Sequence, residues 1–287
     1  MAAVRAGVLP ADVEPLLVGE ASVWRRAGWR RGDARIHDTG LRLKPPPLGA
    51  PSVAGGRMAA AAFEEALRLI GRGLAAGLVT APISKESWAR AGYPWRDHTE
   101  RLAACGGRGA EMILAVPSKD VWCSLVTRHL SLKDAVRRLG AGAVVSAARA
   151  LDCALRRLGR RRPRLALCGL NPHAGEAGLI GREERDILNP AAAALRRAGI
   201  LIDGPLPADS AWRLHVEGAC DGLVCLYHDQ ALIPLKTLGG LSGVNWTVGA
   251  PFVRVSPAHG TAWEAACSGS VDASGMIEAS RLASILL

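Results

Sequence analysis

No apolar run in this chain reaches the ~18 residues that a membrane-spanning helix needs. The first fifteen residues lack the long apolar core of a secretory signal. Together these absences lead us to expect a cytoplasmic protein. The seven cysteines contain no CxxC pair, which argues against disulfides and cysteine zinc sites. Cys123, Cys168 and Cys225 lie inside apolar runs and read as reduced core residues. No GxGxxG marks an ordinary dinucleotide loop, and no HExxH helix marks a zinc hydrolase. Internal repeats and low-complexity linkers are also missing. The formal charge of +10 is concentrated in Arg156, Arg157, Arg160, Arg161, Arg162 and Arg164. That run has no interleaved aromatics, so it fits a solvated helix end and loop better than a nucleic-acid patch.

What is present suits a compact α/β enzyme. Hydrophobic residues make up 49% of the 287 positions, and 33 glycines supply tight turns. This length can fill one large domain or two lobes. Strands are expected at LLVG (Leu16), GLVTAPI (Gly77), EMILAVP (Glu111), VWCSLV (Val121), LALCGL (Leu165), GLVCLY (Gly222), VNWTVG (Val244) and FVRVS (Phe252). Helices are expected near Trp24, over Met58 to Leu69, after a Ser84 cap, from Ser131, and over Ala141 to Leu158. Others should cover Arg182 to Arg197, kinked near Pro190, then Ala262 to Cys267 and Ser274 to Leu286. Pro45 to Pro47 mark a loop. This alternation predicts a largely parallel sheet covered on both faces.

Three histidine motifs each follow an apolar, strand-like run: TRHLSLKD at Thr127, NPHAGE at Asn171 and YHDQ at Tyr227. The carboxyl ends of strands are where α/β sheets bind ligands. Three imidazoles from separate loops can hold a divalent metal with positions left open for substrate. One loop histidine alone would read as a side chain satisfied by hydrogen bonds. The same context three times favours the ligand reading. Asp209 and Asp229 either orient such ligands or cap helices.

These motifs, with APISKE at Ala81, DHTE at Asp97, GREE at Gly181, GPLPAD at Gly204, LK at Leu235, GVNWTVGAPFVRVS at Gly243 and HGTA at His259, resemble the 4-hydroxythreonine-4-phosphate dehydrogenase family. The match runs from about Thr80 to the C-terminus. The resemblance implies a two-lobed α/β fold similar to isocitrate and isopropylmalate dehydrogenases, with parallel and mixed sheets and a cleft between lobes. It implies a cofactor-side lobe of residues 1–95 and 244–287, and a metal- and substrate-binding, dimerising lobe of residues 96–243. It implies a homodimer with the active site shared across its interface. His129, His173 and His228 then match the metal ligands, with Zn²⁺ preferred and Co²⁺, Mn²⁺ or Mg²⁺ compatible. His98, Thr99, Lys236, Asn245 and Arg254 match substrate-binding positions, and Asp209 and Lys236 are the catalytic candidates. His98 would hydrogen-bond a phosphate or carboxylate, or relay a proton. His259, Gly260, Thr261 and Ala262 would hold the adenosine end of NAD or NADP.

The implied reaction is oxidation of 4-phosphooxy-L-threonine at C3, then loss of CO₂ to give 3-amino-2-oxopropyl phosphate, in pyridoxal 5′-phosphate biosynthesis. The alternatives are a related dehydrogenase for 4-phospho-threonate, 4-phospho-erythronate or an aromatic cis-dihydrodiol, or a non-catalytic metal-binding relative. The family's opening GDPxGIGPE segment has no counterpart here, and Ala258 stands where an acidic residue commonly precedes HGTA. The missing segment predicts weak NAD binding, and Ala258 departs from the family pattern at the cofactor loop itself.

Overall fold

The computed structural model describes residues 1–106 and 110–287. By its contacts the chain divides into two units, Met1–Ala110 with Ala250–Leu287, and Glu111–Gly249. The helix carrying His98 and Thr99 therefore belongs to the first unit, and Val244–Val248 to the second. The first unit opens with α1 (Ala2–Arg5), β1 (Leu16–Val18), α2 (Ala21–Arg26), β2 (Arg35–His37) and α3 (Val53–Gly71). It continues through β3 (Gly77–Val79), α4 (Lys85–Arg90) and α5 (His98–Ala104). The second unit contains β4 (Glu111–Val116), β5 (Val121–Leu125), α6 (Leu132–Arg138), α7 (Ala141–Arg157) and β6 (Arg164–Cys168). A π-turn, Glu184–Leu188, leads into α8 (Asn189–Arg197). Then come β7 (Leu201–Leu206), α9 (Ala208–Val216), β8 (Gly222–Cys225), α10 (His228–Gly239) and β9 (Val244–Val248). The chain returns to the first unit with β10 (Val253–Pro257), α11 (Trp263–Ser268) and α12 (Ser274–Leu286).

In the second unit β5, β8, β6 and β7 pair in that order and run parallel. β4 is antiparallel to both β5 and β9, so the sheet is mixed rather than largely parallel. The reason is local. Only Pro117 to Asp120 separate β4 from β5, and Asp120 closes the turn in the left-handed region at φ +54°. A connection that short can only form a hairpin; a parallel crossover needs a dozen residues or more. Helix α7 packs on β4, β5 and β8 through Val144, Ala147, Ala148, Leu151, Ala154 and Leu155, one face at helical spacing. The approach is close: a Cβ on Gly222 would lie 3.0 Å from Leu151 and 3.1 Å from Leu155.

The arginine run is tied down rather than simply solvated. Arg156 pairs with Asp152 at 2.7 Å, Arg160 with Asp221 at 2.5 Å, and Arg157 lies 5.5 Å from the Trp246 ring centroid. Among the described residues no helix is long and apolar enough to cross a membrane.

The first unit holds two parallel pairs, β1–β2 and β3–β10. Its apolar core joins Phe63 on α3, Trp88 on α4 and Leu102 on α5. The helices are fixed at their starts. Ser52, Ser84 and Asp97 each accept a backbone N–H from the first turn of α3, α4 and α5, as N-cap side chains do.

Candidate functional site

The three histidine loops leave the carboxyl ends of β5, β6 and β8, which are neighbours in the order β5–β8–β6. One end of the sheet thus carries all three. His129 and His228 face each other with ring centroids 5.6 Å apart. The Asp229 carboxylate accepts from His228 Nδ1 at 2.6 Å, which leaves Nε2 as the ring's free nitrogen. Asp229 thus holds the His228 ring and is not a helix cap. Asp209 is no cap either: it lies exposed in the first turn of α9, behind Pro207.

His173 is exposed and does not join the pair. Among the described residues, no three His, Cys, Asp or Glu side chains of a single chain gather in a metal-holding group. Its loop is unusual. His173, Ala174, Gly175, Glu176 and Ala177 all have positive φ, from +44° to +79°, a region that L-residues enter at a cost of roughly 1–2 kcal/mol each. Buried Glu184 holds the entry to this loop. Its Oε1 accepts from the backbone N–H of Leu170 (2.7 Å) and Asn171 (2.8 Å), and its Oε2 from Asn171 Nδ2 (2.9 Å).

Lys236 is exposed on α10, the helix that begins at His228. Asn245 is half-buried on β9, and its side-chain oxygen is buried with no hydrogen-bond partner among the described residues.

A second cluster lies in the first unit. His98 is buried, with its ring centroid 4.4 Å from Phe63 and 5.1 Å from Trp88. Arg254, 3% exposed on β10, donates from Nη2 to Thr80 Oγ1 at 2.7 Å and points the same nitrogen at His98 Nδ1, 3.4 Å away. Burial, reinforced by the Arg254 charge, pushes the His98 pKa down to about 3. The ring is neutral at pH 7, so it can donate through Nε2 but cannot relay a proton by becoming cationic. Burial also lowers Arg254, to about 10, with Asp97 opposing; the guanidinium stays charged. Thr99 is exposed beside His98.

At HGTA, His259 and Thr261 are half-buried and Gly260 and Ala262 exposed; Ala262 has φ +50° just before α11. A depression of about 540 Å³ lined by Asp38, Thr39, Ala61, Glu64, Glu65 and Arg68 shares no residue with any of these groups.

Thr80, Glu184 and Gln230 carry roles that the sequence reading did not assign. Each lies inside or beside a quoted motif, and each is a polar residue at a strand end or on the element that follows.

The profile described as "Pyridoxal phosphate biosynthetic protein PdxA" matches residues 14–283. A 4-hydroxythreonine-4-phosphate dehydrogenase of Bradyrhizobium diazoefficiens is 42% identical over 250 residues, covering 86% of this chain and 72% of that protein. The crystal structure of a 4-hydroxythreonine-4-phosphate dehydrogenase from Burkholderia phymatum superposes with a TM-score of 0.80 at 34% identity, covering 99% of this chain and 92% of that one. A terephthalate 1,2-cis-dihydrodiol dehydrogenase from Burkholderia xenovorans gives 0.66 at 28% identity, covering 94% and 89%. Fold and relatives define the class as an α/β oxidoreductase of the isocitrate/isopropylmalate dehydrogenase-like type. Within that class, the chain belongs to the pyridoxal phosphate biosynthetic protein PdxA family.

Proposed function

We infer that the chain is a cytoplasmic, divalent-metal-dependent dehydrogenase that oxidises 4-phosphooxy-L-threonine with NAD or NADP. The product, 2-amino-3-oxo-4-phosphooxybutanoate, is a β-keto acid and loses CO₂ to give 3-amino-2-oxopropyl phosphate for pyridoxal 5′-phosphate biosynthesis. The observation that carries this reading is the His129–His228 pair, 5.6 Å apart, in a chain matched to the family over residues 14–283.

The residues fit the groups this chemistry needs. Two facing imidazoles with one Nδ1 tied to a carboxylate suit Zn²⁺, and also Co²⁺, Mn²⁺ or Mg²⁺. When bound, the ion supplies Lewis-acid stabilisation of the charge that develops on the substrate hydroxyl oxygen as hydride leaves. In this reading His173 completes the donor set across a homodimer. His259 to Ala262 would hold the adenosine end of NAD or NADP through loop amides, and the bound nicotinamide would supply a hydride acceptor.

The chain's own side chains do the rest. Arg254 offers a desolvated cation to the phosphate or carboxylate, His98 donates from its neutral ring, and Thr99 and Asn245 add neutral polar contacts. Lys236 supplies a second cation. Asp209 and Lys236 are the catalytic candidates: the Asp209 carboxylate would take the hydroxyl proton, and the Lys236 cation would stabilise the oxygen that loses it.

A substrate panel tests this. Purified protein is supplied with NAD or NADP and a divalent metal. It is then given 4-phosphooxy-L-threonine, 4-phospho-threonate, 4-phospho-erythronate or an aromatic cis-dihydrodiol, and reduced nicotinamide is followed by absorbance. The phosphothreonine should turn over fastest, and chelation should stop it. Faster turnover of the cis-dihydrodiol, the chemistry of the relative at TM-score 0.66, would replace this reading with that one.

A further inference from the structure

A chain of buried hydrogen bonds links the three histidine loops. Thr127, two residues before His129, donates from Oγ1 to the backbone oxygen of Leu226 at 2.7 Å. Leu226, two residues before His228, donates its N–H to Gln230 Oε1 at 2.7 Å. Gln230 Nε2 then donates to the backbone oxygen of Gly169, at the start of the His173 loop, at 2.8 Å. Thr127 and Gln230 are each 7% exposed and Leu226 1%. The Gln230 backbone oxygen in turn accepts from Trp212 Nε1 at 2.8 Å, so the residue's main chain is held from α9 as well.

We propose that Gln230 and Thr127 are positioning residues: their side chains clamp the ends of β5, β8 and β6 in one register and so set where the three imidazoles stand. This rests on the metal reading above. The chemistry supports a positioning role over mere filling. Gln230 satisfies two backbone groups beyond the strand ends, the Leu226 N–H and the Gly169 oxygen, and Thr127 Oγ1 adds a second donor to the Leu226 oxygen, which also accepts the Thr127 N–H at 3.1 Å. A primary amide can accept from one strand and donate to the next in a single plane, which neither a carboxylate nor an apolar residue can do. Buried networks of this kind fix a unique geometry when every member is satisfied.

The test titrates Co²⁺ into the full-length protein and reads the visible absorption of the bound ion, alongside the melting temperature of the metal-free protein. The variants are Gln230→Leu, Gln230→Glu, Thr127→Val and Thr127→Ser. Residues that orient metal ligands change affinity by roughly 10- to 100-fold. Gln230→Leu and Gln230→Glu should weaken Co²⁺ binding at least ~10-fold and alter the band shape. Thr127→Val should weaken it by several-fold, and Thr127→Ser, which keeps the hydroxyl, should restore it. If Gln230→Leu does not fold, Gln230→Glu and the Thr127 pair decide the matter. Lower melting temperatures with unchanged Co²⁺ affinity and spectrum would overturn the proposal, because the clamp would then be only structural. A wild-type protein that binds no Co²⁺ would sink the metal reading itself, and the clamp's role with it.

Discussion

The two units hold their candidate histidines in opposite ways. In the first, His98 is sealed between Phe63 and Trp88 with a guanidinium at its Nδ1. In the second, His129 is exposed, His228 is partly exposed with a carboxylate at its Nδ1, and the two rings face each other. The same side chain is thereby assigned two chemistries. Burial plus a neighbouring cation removes the proton and leaves a fixed neutral donor. Access plus a neighbouring anion leaves the second nitrogen available as an electron-pair donor to a metal. Burial first, and then the neighbour at Nδ1, decides which task is open.

The sharpest way to break this comparison is to remove the cation. Arg254→Ala takes away a buried charge-assisted contact worth about 1.5–3 kcal/mol, or roughly 10- to 100-fold in binding. KM for 4-phosphooxy-L-threonine should rise by that factor, while the unphosphorylated analogue is affected far less. Equal losses on both would make Arg254 a structural residue.

Next is His228→Ala, which should weaken divalent-metal binding and activity at least ~10-fold, since a ligand should matter no less than its supporting partner. Equilibrium dialysis against Zn²⁺ and initial rates check this. Metal content and turnover equal to wild type would end the ligand assignment.

A smaller effect should appear in the pH dependence of stability. Burial and the Arg254 charge depress the His98 pKa from the ordinary imidazole value of 6.5 to about 3. Between those values the unfolded chain takes up a proton that the folded chain refuses. This group's contribution is intact above the upper value and is lost as pH falls toward the lower one, at about 1.4 kcal/mol per pH unit. Urea midpoints measured across that range should therefore fall less steeply for His98→Gln than for wild type. Parallel curves would mean that the ring titrates normally.

The smallest effect expected is on the cap that starts the His98 helix. Asp97→Ala should cost about 1 kcal/mol in a urea titration. A change near zero would show that packing alone sets the start of α5.

The sequence made the strand ends legible for a physical reason: LALCGL and GLVCLY are continuous apolar runs that stop abruptly at polar, turn-forming residues. The helix starts at Ser84 and Ser131 were readable because their capping partners lie three residues away. Strand β7 was not readable, because Asp203, Gly204 and Pro205 interrupt any strand pattern and only pairing with β6 holds it extended. The neutrality of His98 was hidden too, since its Arg254 neighbour is 156 positions away. The amide of Gln230 looked like one more polar letter in YHDQ, because its partner Gly169 lies 61 positions upstream.

The hydrogen bond from Thr127 to Leu226 spans 99 positions, and that distance bears on how the protein comes to be made. Contacts so far apart form only after a large entropic closure. As the chain leaves the ribosome, the His129 loop must wait for nearly a hundred further residues before its partner strand exists. A nascent chain ending before Gly222 would carry His129 and His173 without β8. An ion held at these histidines, as proposed above, should therefore stabilise the finished domain, with little influence on the steps that build it. Released fragments should ignore metal, and refolding rates should be nearly the same with and without Zn²⁺ even where the folded protein is markedly stabilised by it.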